Sequence, residues 1–466
     1  MKKWTKGLLA VAFAGAFVLT GCSSIEQVKN DKTEILYNGG SVVAVGNYLY
    51  YGNGYASGVS DFSTSSDSEY KTAQEYSYLA RTNLNGRTDS QYKNENNVDK
   101  LNDRIAGYGS SYMFVLGNDI YFATPNLHKT NENKYIWNYV SFFKMGINGG
   151  KANEIYTTEA YDEGSAQIRA LSYNGKHYLV IFDGTNLVKI SLGSDKVEKL
   201  TDSTVTSVAL PAEGENWNGM IYYTTANSSE VGQKGNVAYR VNIENSNSEK
   251  ICQEINLTVT FTGRVKNKVF FSRKTESSDF TETYVFDADS ANGKSFNTAS
   301  KRFYNLAIDN ISEVSVDNTL YNGYTFEVTV NSKTQVMYYN QMNNSTTLFV
   351  SGDAGYANTV ASYGTYFYYM TSDKIMRKTF DTNEETTIVS DMTIKNDGFG
   401  YDYYYVDGAI SNLNNIYFYA QVPVDEDAEE SKEENEEERK EESDTNYYLF
   451  KVDANGAKKP ALVGKK

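Results

Sequence analysis

Hydrophobic and polar residues alternate with period two along most of this chain, in short runs cut by Gly, Asn and Asp. Successive side chains of a strand point to opposite faces, so the pattern predicts β-strands with at least one buried face. Beyond the N-terminus, helical periodicity is hard to find. A turn followed by an aromatic strand recurs eight times, including GNYLYYGN (46–53), GNDIYFAT (117–124), NGMIYYTT (218–225), YGTYFYYMT (363–371) and LNNIYFYAQ (413–421). A second half also recurs eight times, as in YLARTNLNG (78–86), AYRVNIENS (238–246) and YLFKVDANG (448–456), each ending in a turn signal and then another short strand.

Each unit is therefore four short strands in meander order, too small to bury both of its faces alone. Stacking such units radially gives each a neighbour on either side. The expectation is an all-β fold: a β-propeller of about eight four-stranded blades, with seven as the other count. A tandem of β-sandwiches needs units of about 100 residues with Greek-key crossovers, and a solenoid needs shorter, stricter repeats. KTEILYNGG (32–40) resembles an outer strand, which suggests that the chain ends exchange a strand to close the ring.

The stretch YYMTSDKIMRKTFDTNEETTIV resembles a blade of the YWTD propellers of low-density-lipoprotein receptors and of related bacterial propellers of unknown function. The matching positions are Tyr369, Thr371, Asp373, Ile375, Arg377 and Asp381, and Tyr222, Tyr223, Thr224, Thr225 and Arg240 repeat part of the pattern. No blade carries that family's tryptophan, and the receptors have six blades. The resemblance implies a fold and transfers no site.

The N-terminus carries a different signal. A cationic start, Met1 to Lys6, precedes an apolar run from Gly7 to Leu19, long enough for a secretory signal and too short to span a bilayer. It ends in Leu19-Thr20-Gly21-Cys22, which resembles the bacterial lipobox. The resemblance implies cleavage before Cys22, acylation of its thiol, and tethering on the outer face of a bacterial cell membrane. The division that follows is a signal peptide (1–21), a lipidated cysteine with a polar tether (22–31), and a single propeller (32–466). The other cysteine, Cys252, lies in an alternating stretch and reads as a small buried hydrophobe.

Formal net charge is −15, of which residues 425–444 supply −10 through 13 acids and 3 bases. The rest is nearly balanced, which argues against a nucleic-acid surface. Residues 424–445 read as a solvated, self-repelling insertion.

Catalytic constellations are thin. His128 and His177 are the only histidines, and there is no CxxC, HExxH, G-x-S-x-G, P-loop or dinucleotide glycine pattern. Asp287 to Gly293 alternates oxygen ligands but lacks the distal acid of an EF-hand, so it reads as a hairpin turn. Neither a metal nor a cofactor is expected. Long connections between second and third strands all fall on one rim of a propeller. Aromatic residues outside the repeat are candidate contacts there: Tyr55, Tyr70, Trp137, Tyr161 and Tyr401. The expected function is a non-catalytic binding or scaffold module for a protein, peptide or cell-wall ligand. The alternative is a carbohydrate-active hydrolase or lyase using carboxylates near the channel.

Overall fold

The computed structural model describes residues 27–463 apart from 38–39, 41, 54–77, 84–97, 107–111, 126–138, 163, 227–234, 254–256, 276–280, 289–299, 317–318, 391–403, 407–413 and 422–446. These residues form eight antiparallel sheets, each built on four strands consecutive in the chain, with a fifth strand added to one of them. Numbered along the sequence, the blades span 42–105, 113–157, 167–199, 205–253, 257–304, 309–350, 356–390 and 404–462. Helix among the described residues is confined to two single turns, Thr319–Tyr321 and Gly352–Ala354. The fold is a β-propeller, as the repeat predicts.

Why these sequences make blades is clearest in blade 7. Its second strand, Tyr366–Thr371, pairs with Lys374–Thr379 in the register Tyr368 opposite Arg377. Phe367 and Tyr369 point towards blade 6 and join Val336, Tyr338 and Phe349. Tyr368 and Met370 point the other way and pack with Ile416, Phe418 and Phe450 of blade 8. Both faces of the strand are therefore core, and the aromatic run is inter-blade cement. In blades 1, 2, 3, 5 and 7 the first turn is tight: Gly46, Gly117, Asn174 with Gly175, Lys266 and Gly364 all take positive φ there, the geometry that two-residue hairpins require.

The start of the chain departs from expectation. Residues 32–40 were expected to form an outer strand that closes the ring. Instead Ile35–Leu36 pairs with the first, innermost strand of blade 2, Met113–Leu116, as a fifth strand. The first strands of neighbouring blades approach one another around the axis, and Ile35–Leu36 also nears those of blades 1 and 3, so it lies in the central channel. A ring of eight blades leaves a wide centre, and an extra strand is one way to fill it. Before it, Asn30 donates from its main chain to Asn118 Oδ1 and from Nδ2 to the Gly117 carbonyl, both at 2.8 Å. The segment thus enters from the face carrying the tight hairpins. At the opposite, loop-bearing face Gly40 accepts from the Met113 amide at 2.9 Å.

Among the described residues, closure uses no shared strand. The last blade meets the first through side chains: Tyr417, Tyr419 and Leu449 pack on Val42, Leu49 and Tyr51.

Candidate functional site

Two unrepeated segments meet in the inner ring. One is the N-terminal strand. The other is the connection between the first two strands of blade 4, which runs from Leu210 to Gly219 where most blades use two residues. Trp217 anchors it by donating Nε1 to the Ser172 carbonyl at 2.8 Å and by packing against Tyr173. The turn at its tip carries Glu213 and Glu215 into contact with blades 2, 3 and 5.

The result is a polar cluster at the junction of blades 2 and 3. The Tyr112 hydroxyl donates to Glu213 Oε1 at 3.0 Å and accepts from the Ala170 amide at 2.8 Å. Arg169 Nε lies 3.7 Å from Glu213 Oε2, and Nη1 donates to the Ile168 carbonyl at 2.8 Å. Tyr37, just beyond the channel strand, sets its ring 5.1 Å from that of Tyr112. Arg169 keeps 36% of its side-chain surface and Glu213 16%, although both sit among the inner strands. Water therefore reaches them along the channel.

Burial pushes the Glu213 carboxyl up, with Arg169 pulling the other way. Burial likewise raises the Tyr112 phenol well above its ordinary range, and the neighbouring Glu213 charge adds to it. For Arg169, burial works against the charge, but Glu213, Tyr37, Tyr112 and Glu215 together outweigh it and the group stays firmly cationic. A fixed cation whose Nη2 has no hydrogen-bond partner among the described residues, beside two phenols, suits the polar or anionic part of a ligand.

Glu213 has a measurable signature. A carboxyl raised in the folded state binds its proton more tightly there than when unfolded. Stability conferred by the neutral form is then lost as pH rises from the unfolded value through the folded one. Glu213→Gln is expected to flatten that fall. Urea midpoints of both proteins between about pH 4 and pH 7 check it, and parallel curves sink the assignment.

Among the residues expected at the rim, Tyr161 lies in the connection between blades 2 and 3. It is half-buried and packs on the same cluster as Tyr37, Tyr112 and Ile168. Tyr55, Tyr70, Trp137 and Tyr401 lie outside the described residues, as do the lipobox Leu19, Thr20, Gly21 and Cys22 and the acidic stretch 424–445. His177 shares a 2.8 Å hydrogen bond with Ser172 Oγ. Asp287 is engaged by Lys268 Nζ and Asn267 Nδ2. Cys252 is buried and takes part in no disulfide among the described residues. Among the described residues no three His, Cys, Asp or Glu side chains gather as a metal site.

The sequence reading missed Tyr37, Tyr112, Arg169 and Glu213. One signal was present: the connection LPAEGENWNG (210–219) breaks the repeat on the hairpin face and carries two acids and a tryptophan.

No family model matches the chain, and no curated protein matches it in sequence. Solved structures do resemble it in fold. An oligogalacturonate lyase from Vibrio parahaemolyticus superposes with a TM-score of 0.39 at 9% identity, over 72% of this chain and 86% of that one. The β-propeller domain of the Trilobed protease from Pyrococcus furiosus gives 0.39 at 11% identity, over 77% and 99%. A puromycin-hydrolysing peptidase from Mycobacterium tuberculosis gives 0.43 at 8% identity, over 83% of this chain but 58% of that one, so the chain spans little more than half of the peptidase. At such identities these likenesses speak to the fold alone.

Proposed function

We propose that this protein is a lipid-anchored, extracytoplasmic binding propeller that holds a protein, peptide or cell-wall ligand at its loop-bearing face without turning it over. The observation that carries the reading is that three acids around the inner ring, Glu213, Glu215 and Glu313, are committed to the protein itself. Glu213 is held by Tyr112 and Arg169. Glu215 Oε2 accepts from the Lys266 and Ala212 amides at 3.0 and 3.4 Å. Glu313 pairs with Lys266 Nζ at 2.6 Å. Anchoring rests on the lipobox-like Leu19 to Cys22, since multiple acyl chains give stable attachment.

A photo-crosslinking residue at Tyr161, compared with one at Asn174 on the hairpin face, tests the binding face in intact envelopes. Discrete adducts from position 161 and none from 174 are expected. Adducts from 174 alone overturn the assignment of the face. Cys22→Ser is expected to move the chain out of the membrane fraction.

One observation favours a second reading, a carbohydrate-active hydrolase or lyase. A carboxyl raised by burial in a water-reached channel has the property a general acid needs. Turnover of a glycan that disappears in Glu213→Gln would establish that reading and displace the first.

A further inference from the structure

We infer that the hairpin face of the ring seats directly on the lipid bilayer, with Leu320 and Met342 of blade 6 dipping into its surface. This rests on the proposed acylation of Cys22.

The first support is where the N-terminal segment docks. Val28 is clamped by both ends of the Asn148 side-chain amide, donating to Oδ1 at 2.7 Å and accepting from Nδ2 at 2.9 Å. With the two Asn30 contacts, this fixes the N-terminal segment on the hairpin face of blade 2. Only residues 23–26 separate Cys22 from Gln27. A fully extended chain covers at most about 3.6 Å per residue, so an acyl anchor lies within roughly 18 Å of this face.

The second support lies half a ring away, four blades on, and on the same face. Leu320 is 54% exposed and Met342 61%, the two most exposed large apolar residues among those described. Scattered exposed hydrophobes are ordinary on any surface, but these two are held out as a pair. Leu320 belongs to the connection between the first two strands of blade 6, and Met342 to the turn between its last two. Asn340 ties the turns together: Nδ2 donates to the Leu320 carbonyl at 2.8 Å, and Oδ1 accepts from the Met342 amide at 2.8 Å. Gln341 donates to the Asn322 carbonyl at 3.0 Å. Polar clamps thus set the backbone of both turns while the apolar tips stay outside. Beside them a cavity of about 360 Å³ opens between blades 6 and 7, lined by Tyr321, Tyr338, Leu348 and Phe380 among others, and Leu348 is 52% exposed.

A single tether lets a disc swing freely. A second, apolar contact diametrically opposite the tether makes it lie flat. The loop-bearing face then points away from the membrane, where a partner can reach it. The neighbouring turn carries exposed Asp381 and Glu384 rather than cations, so the contact is apolar and does not depend on anionic lipid.

The test uses the full acylated chain in phosphatidylcholine vesicles, with an environment-sensitive fluorophore at Met342→Cys in a Cys252→Ala background. The matched control is Val330→Cys on the loop-bearing face of the same blade. Lipid-borne nitroxide is expected to quench the label at 342 several-fold more than at 330, and Leu320→Asp to reduce that difference. Equal quenching at both positions, with the protein still on the vesicles, overturns the inference and leaves the anchor standing. A chain that never joins the vesicles overturns the anchor as well. A label at 342 that is aqueous on vesicles yet shielded in native envelopes overturns it too, and makes the patch a protein contact.

Discussion

Replacing Arg81 with alanine is expected to destabilise the protein by about 3 kcal/mol, the scale for removing one member of a buried ion pair. Arg81 has no exposed surface, while Asp99 keeps 34% of its side-chain surface. The guanidinium donates through Nε and Nη2 to Asp99 Oδ2 at 3.2 and 2.8 Å, and through Nη1 to Asn148 Oδ1 at 3.2 Å. Its face lies 4.7 Å from the Tyr48 ring centroid. Truncation leaves a void between blades 1 and 2 and removes a charge-assisted bond from the residue that clamps Val28. Arg81→Met restores packing but not the bonds, so it is expected to recover about half of the loss. Because Asn148 links Arg81 to the N-terminal segment, Arg81→Ala is also expected to speed amide exchange at Val28 and Asn30. Urea unfolding with exchange measured by mass spectrometry reads both. A loss below about 1 kcal/mol would mean that the pair barely offsets its own desolvation.

The second large effect is expected where the ring closes. Tyr419 is fully buried and donates to the Gly52 carbonyl of blade 1 at 2.7 Å. Tyr419→Ala should cost about 4 kcal/mol, as for other large aromatic truncations. Tyr419→Phe should cost about 1–2 kcal/mol, leaving a buried carbonyl short of one partner. Tyr368 offers a comparison, because it is equally buried but sits between blades 7 and 8, which are consecutive in the chain. Its truncation should cost a similar amount without loosening blade 1. Amide exchange separates the two: Tyr419→Ala is expected to raise exchange in both terminal blades together. If only blade 8 responds, the seam is not what holds the ends.

Much of the fold was legible in the chain because blade formation is a local matter. Period-two alternation, tight turns such as Gly46-Asn47, and the aromatic second strand are written within about fifty residues and repeated. The strand Tyr366–Thr371 shows the logic, since its two buried faces follow from alternation once a neighbour stands on either side. The role of residues 32–40 was not legible. Ile35 and Leu36 look like any short strand, and their partner, Met113–Leu116, is some eighty residues away. Pairing at that separation depends on the channel that the assembled ring leaves open, which no local pattern encodes.

The candidate site divides in the same way. Tyr161 stood out as an aromatic outside the repeat, and it does pack beside the channel cluster. Tyr112 and Arg169 carried no signal, because each occupies an ordinary position at or in a first strand. They acquire chemistry only when the connection 210–219 crosses the inner ring and brings Glu213 beside them. By itself, then, the sequence determined the all-β class, the repeated blade and the packing role of its tyrosines, since these depend on neighbours close in the chain. The tertiary structure alone decided what fills the channel, how the ring closes, and which lone charges meet, since those depend on segments that only the closed ring brings within reach.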